Sequence, residues 1–178
     1  SRPDPRAGTA RSRDARDLDA LARGPSARPA RLTGGGVAVI AILFVQLLLG
    51  AWVAGLNAGY VASSWPLMND HLVPQGIDWS GGTWVALTHD PFLLHFLHRW
   101  WAWGAALALL LLARSVAWRG GQSEARLLVA VVVVQMALGI WTVLSGVSMW
   151  VAVAHQVVGA ILVAIVAAAL HRLGRPAA

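Results

Sequence analysis

The sequence predicts an all-α integral membrane protein, a four-transmembrane-helix bundle made of two α-hairpins related by a pseudo-twofold axis. Three observations carry that prediction. Hydrophobic residues fill 57% of the 178 positions and charged residues only 12%, about half the charge of an ordinary soluble domain. Twelve of the 22 charges crowd into residues 1–31, which leaves long apolar runs behind them. One short motif then recurs in two of those runs. A mean hydropathy of +0.61 excludes an ordinary soluble enzyme, a nucleic-acid-binding module and a disordered chain. The net charge of +6 is therefore read as a topology signal and not as a nucleic-acid footprint. The chain has no cysteine, which removes disulfides, thiolate metal sites, iron–sulfur clusters and thiolate catalysis.

Four runs are long enough to cross a hydrocarbon core, which takes about 20 mostly apolar residues in a helix: 37–56, 91–113, 127–149 and 150–170. They lack the alternation of a membrane barrel, and lipid forces backbone groups to pair within the segment, so they read as helices. The third and fourth abut, with Ser145-Gly146-Val147-Ser148 near the turn. The bundle thus occupies 37–171, followed by a short tail, 172–178.

Arginine sets the orientation. Eight arginines precede the first span, three lie between the second and third, and two follow the fourth. The connection 57–90 and the short third connection have none, and the fourteenth, Arg99, lies inside a span. The positive-inside rule makes the arginine-rich side cytoplasmic. The chain is thus expected to be multi-pass in the inner (cytoplasmic) membrane of a bacterium, with both termini cytoplasmic. Residues 1–36 read as a solvated, arginine-rich cytoplasmic segment or as a linker between two halves of a longer protein. They lack the short apolar region and small-residue cleavage site of a signal peptide. The start at Ser1 favours a piece of something longer.

Gln46 to Trp52 and Gln135 to Trp141 both fit Q-x-x-L-G-x-W, 89 residues apart, and each is followed by a span with a histidine near its start. Two matched elements in the same order point to duplication and to two equivalent hairpins. Small residues that let helices approach, and glutamines that hydrogen-bond across a bundle, would account for the motif by packing alone.

His98 lies seven residues after Pro91 and His155 five after Trp150, roughly 8–11 Å below the loop-side boundary at 1.5 Å per residue. Two imidazoles at one depth on equivalent helices suit the two axial positions of a haem iron. A structural metal site fits less well, because the spans offer no carboxylate or cysteine to complete a shell. Arg99 is placed to meet a haem propionate, or to snorkel toward headgroups. His95 shares the face of His98 and reads as its supporting neighbour, with a spare ligand as the alternative. His71, His89 and His171 read as solvated or interfacial. Trp100, Trp101, Trp103, Trp141 and Trp150 suit either a porphyrin wall or the interfacial aromatic belt. The 34-residue connection 57–90 is too long for a mere link and is expected to fold over the bundle mouth.

These residues resemble the haem A synthase family. The likeness runs through 46–59, then Trp65-Pro66-Leu67-Met68 with Val73-Pro74, then His98-Arg99, 135–144 and His155-Gln156. Their order is that of the carboxy-terminal half of the family, and the likeness covers about 37–171. The resemblance implies an eight-helix protein of two four-helix bundles that oxidises a methyl group of haem O to the formyl group of haem A for terminal oxidases. It implies a haem b held between His98 and His155 in this half, with haem O bound in the other half. The absence of cysteine is similar to the branch without an outer-loop cysteine pair, and His95 stands where the family pattern has Gln. Implied partners are lipid, haem, the missing amino-terminal half or a second copy, and haem O synthase, with no nucleic acid. No catalytic residue is assigned. Two alternatives stay open beside this reading: a stand-alone bis-histidine b-type electron carrier, and a haem-free membrane assembly factor.

Overall fold

The computed structural model of the protein describes residues 31–175. Of the amino-terminal segment 1–36 and the tail 172–178, residues 1–30 and 176–178 lie outside the described residues. Five α-helices follow in order: α1 (Gly34–Gly55), α2 (Thr83–His89), α3 (Pro91–Trp118), α4 (Gln122–Leu144) and α5 (Met149–Gly174). All but the short α2 are long and apolar enough to cross a membrane. The only β pairing among the described residues is a single bridge between Met68 and His71.

Local chemistry explains where the helices start and stop. Thr33 caps α1, its hydroxyl accepting the Gly36 N–H at 3.1 Å. Asp90 caps α3 in the same manner, accepting the Leu93 N–H at 2.8 Å, and Pro91 occupies the first turn, where its missing N–H costs nothing. The apolar pattern carries the third span to 149, whereas α4 stops at Leu144 because Gly146 (φ 63°) and Val147 (φ 62°) are left-handed. The second span ends at 113 by hydropathy, yet α3 continues to Trp118, with the Arg114 guanidinium 4.5 Å from the Trp118 ring centroid. Hydropathy marks where the chain leaves lipid, and backbone hydrogen bonding continues past that point.

α1 and α4 end alike. The Leu56 N–H bonds to the Trp52 carbonyl at 3.0 Å, and the Ser145 N–H bonds to the Trp141 carbonyl at 2.8 Å. A left-handed residue follows in each, Asn57 (φ 54°) and Gly146. Both pairs keep the 89-residue offset of the motif, so the repeat extends into backbone conformation.

α1 packs on α3, α3 on α4 and α5, and α4 on α5. The apolar core lies toward the arginine-rich end, where Leu109, Leu112 and Val116 meet Leu128, Val132, Leu162 and Val166. At that end α1 also reaches α5. A Cβ on Gly36 would lie 3.3 Å from Leu170 Cδ2, and the Arg31 N–H bonds to the Gly174 carbonyl at 3.0 Å. The half nearer the long loop holds the buried polar groups instead.

The long loop is ordered by short-range bonds. Asn69 (φ 50°) and Asp70 (φ 67°) form the tip of a tight turn closed by Met68 and His71, with Met68 buried beneath. The Ser64 hydroxyl accepts the Asn69 N–H and donates to the Leu67 carbonyl, both at 2.9 Å. Bonds from the Ser80 hydroxyl and backbone hold the Asp78 carboxyl below its ordinary pKa. The second oxygen of Asp90 accepts the Asp78 N–H at 2.9 Å, so one carboxylate both caps α3 and ties down the loop. Replacing Asp90 by Ala should cost about 1–2 kcal/mol, read as a lower melting temperature in detergent, and Asp90→Asn should cost less.

Candidate functional site

His98 lies seven residues into α3 and His155 six into α5, both entering from the loop end, so the two imidazoles sit at matched depth, roughly 9–11 Å along their helices. Each ring stands against a glycine of the spanning helix before it, His98 against α1 and His155 against α4. A Cβ on Gly50 would lie 3.0 Å from His98 Cε1, and a Cβ on Gly139 would lie 3.1 Å from His155 Cε1. Real Cβ contacts of that length force a neighbour to move, so both positions disfavour a side chain where the imidazole stands. These are the glycines of the repeated motif, and they bring each helix pair within reach of its histidine.

One turn before each glycine stands the glutamine of the motif. Gln46 Nε2 donates to His98 Nδ1 at 3.1 Å and to the His98 carbonyl at 3.3 Å. Gln135 Nε2 lies 3.1 Å from the position a Cβ on Gly159 would take, one turn beyond His155. Four buried side-chain atoms lack a hydrogen-bond partner among the described residues: Gln46 Oε1, Gln135 Oε1, His155 Nδ1 and His95 Nδ1. All four belong to this layer. Unpaired buried polar atoms are uncommon in native folds and call for an explanation where they cluster.

Arg99 is occupied differently from what its position in the sequence suggests. It is 7% exposed. Its Nη2 donates to the Ala62 carbonyl and its Nη1 to the Ser64 carbonyl, both at 3.0 Å, with Leu67 further off at 3.5 Å. Its Nε donates to His95 Nε2 at 3.0 Å. A guanidinium only donates, so His95 Nε2 must be the acceptor and the proton of that ring stands on Nδ1. His95 is 3% exposed and committed to Arg99, which places it as a supporting neighbour and not as a spare ligand. Arg99 thus straps the segment 62–67 onto α3, with the Trp65 ring centroid 5.9 Å from its guanidinium and Trp65 stacked on Trp103. Beside it lies a cavity of about 190 Å³ lined by Trp65, Pro66, Arg99, Trp100 and Trp103.

Trp100, Trp101, Trp103, Trp141 and Trp150 are all exposed, between 41% and 80%, which suits a porphyrin wall or an interfacial belt equally. His71, His89 and His171 are exposed too. No group of three or more His, Asp or Glu able to hold a metal ion exists among the described residues. Two imidazoles alone complete neither a tetrahedral nor an octahedral shell. They suit a metal that arrives with its own equatorial ligands.

Sequence reasoning noticed Gly50, Gly139 and the two glutamines but did not link them to the histidines. The signal was available, because the motif and the histidines recur together. It missed the strap, since nothing local reveals a bond between residues 35 positions apart. Two outcomes follow from the geometry. Gly50→Val and Gly139→Val should each cost about 1–3 kcal/mol by overpacking and lower the melting temperature. Gly55→Val, with nothing within 4 Å of its Cβ position, should lower it far less. Arg99→Lys should speed amide hydrogen exchange across 62–71 while leaving α4 and α5 protected.

Residues 9–167 match a family model, COX15-CtaA, described as a cytochrome oxidase assembly protein. The chain is 77% identical over 164 residues to the heme A synthase of Sphingopyxis alaskensis, 57% over 159 residues to that of Erythrobacter litoralis, and 47% over 161 residues to that of Rhizorhabdus wittichii. These matches take in 92%, 89% and 90% of this chain but 46% of each relative. The chain therefore spans about half the length of the curated relatives it matches. No solved structure matches it.

Proposed function

The chain belongs to the COX15-CtaA family of cytochrome oxidase assembly proteins, and from that premise we propose that it is the haem-b-binding half of a haem A synthase. The observation that carries the proposal is the pair of imidazoles at matched depth, each seated on a glycine of the repeat and surrounded by buried polar atoms without partners. That donor set fits a haem: two neutral nitrogen ligands and no competing carboxylate or thiolate. His98 and His155 would hold the iron. A haem bound there supplies one-electron redox chemistry to the oxidation that the relatives' name implies.

The chain's own residues do the rest. Gly50 and Gly139 clear the space in which the imidazoles stand. The packed core between the haem layer and the arginine-rich end excludes water from that side. Arg99 and His95 hold the segment 62–67 over the opposite mouth. Arg99 spends most of its N–H groups on loop carbonyls, so in this reading it acts on a propionate through the loop it positions, or with its remaining Nη2–H.

Oxidation of the haem O methyl to the formyl of haem A requires a second haem-binding bundle. We assign it to the part of the relatives that this chain does not span, or to a second copy. The arginine distribution supports a bundle whose arginine-rich end faces the cytoplasmic side of a bacterial inner membrane. His98→Ala and His155→Ala should each abolish haem retention in detergent-purified protein, while His71→Ala keeps it. The oxidised and reduced absorption spectra with a pyridine haemochrome assay check this, and full haem content in both ligand variants would overturn it.

A further inference from the structure

We propose that Gln46 and Gln135 are positioning residues for the two imidazoles, each presenting its amide oxygen to the Nδ1–H of its histidine. The proposal rests on the bis-imidazole reading above and deepens it. An imidazole that gives Nε2 to a metal must carry its remaining proton on Nδ1, and metal-bound histidines almost always donate that proton to an acceptor. Such an acceptor fixes the tautomer and the ring's rotation, and makes the nitrogen facing the metal more basic.

The first hairpin already has the partners in contact. Gln46 Nε2 lies 3.1 Å from His98 Nδ1, and Gln46 Oε1 is buried without a partner. A half-turn of the amide exchanges these atoms. It gives up the 3.3 Å bond to the His98 carbonyl and sets the oxygen where Nδ1–H needs it. Oε1 then acquires its bond, and Nε2 takes the place from which Oε1 made none.

The second hairpin holds the same parts one step apart. Gln135 Oε1 and His155 Nδ1 are both buried and both unpaired, an acceptor and a potential donor in the same layer. Gln135 stands one turn from Gly139, on which the His155 ring rests, as Gln46 stands one turn from Gly50. Gly159 leaves room for the Gln135 amide: a Cβ there would lie 3.1 Å from Nε2. Four positions of the repeat, two glutamines and two glycines, thus converge on the two rings. Interhelical packing alone would leave no reason for the unpaired oxygens and the unpaired ring nitrogen to share one layer.

The test is a redox titration with electron paramagnetic resonance of the haem-loaded full chain and its variants. Gln46→Leu and Gln135→Leu keep the volume and remove the acceptor. Each should keep haem but raise the midpoint potential and shift the low-spin g-values. Gln46→Glu and Gln135→Glu strengthen the acceptor and should lower the potential. Leu variants with full haem, wild-type potential and wild-type g-values would overturn the proposal while leaving the ligand assignment intact. If a Leu variant retains no haem, the matching Glu variant must restore binding, and its failure to do so also overturns the proposal. Wild-type protein that takes up no haem, or His98→Ala that keeps it, overturns the underlying reading instead.

Discussion

Within each hairpin the helices approach closely because one residue at the crossing has no side chain. Gly50 and Gly139 leave the space of a side chain, and the Cε1 corner of an imidazole occupies it. In lipid there is little hydrophobic reward for bringing helices together, so shape and polar pairing decide which faces meet. The glycines supply the shape and the glutamines the polarity. Other features of this layer follow: the shared depth of His98 and His155, their inward aim, and the separation between a polar half and an apolar core. Larger residues at 50 and 139 would still allow a four-helix protein, but its rings would point elsewhere.

A buried guanidinium imposes the second constraint. An arginine within a span is costly unless its donors are met, and removing partners from such a charge costs several kcal/mol. Here the partners are main-chain carbonyls of a loop and the ring nitrogen of a neighbour one turn away. The loop owes part of its order to the same contacts and part to Asp90, whose carboxylate accepts the Asp78 N–H. Fold and cap are therefore coupled through two side chains of α3 and its cap. The opposite end of α3 relies on no such device. There Arg119 bonds the Leu173 carbonyl, and Arg172 pairs with Glu124 at the surface, where ion pairs contribute little.

Much of this was legible in the sequence. Spans of about twenty apolar residues, their helical form and the matched depth of His98 and His155 follow from length and composition. The repeat announced two similar hairpins before any coordinate was known. What could not be read there is of two kinds. Helix ends depend on conformations such as the left-handed Val147, which a β-branched residue rarely adopts and which stands against Gly59 of the other hairpin. Long-range polar pairing depends on which carbonyls the loop offers, so Arg99 read as a propionate partner when its strongest bonds go to the chain itself. His95 was read beside His98 from helical spacing alone, since i and i+3 share a face, but its acceptor role toward Arg99 follows only from knowing the donor.

The matched ends of α1 and α4 have a historical consequence. The same punctuation, a bond to a tryptophan carbonyl followed by a left-handed residue, launches a four-residue turn in one hairpin and a 35-residue excursion in the other. A joint that tolerates either length is open to insertion, and duplicated hairpins can diverge there without disturbing their interiors. The exchange is not symmetrical in time. Once Arg99 had come to depend on the carbonyls of Ala62 and Ser64, deleting the excursion would strand a charge in hydrocarbon. The elaborated hairpin is thus entrenched, while no such buried charge depends on the short connection of its plain sibling.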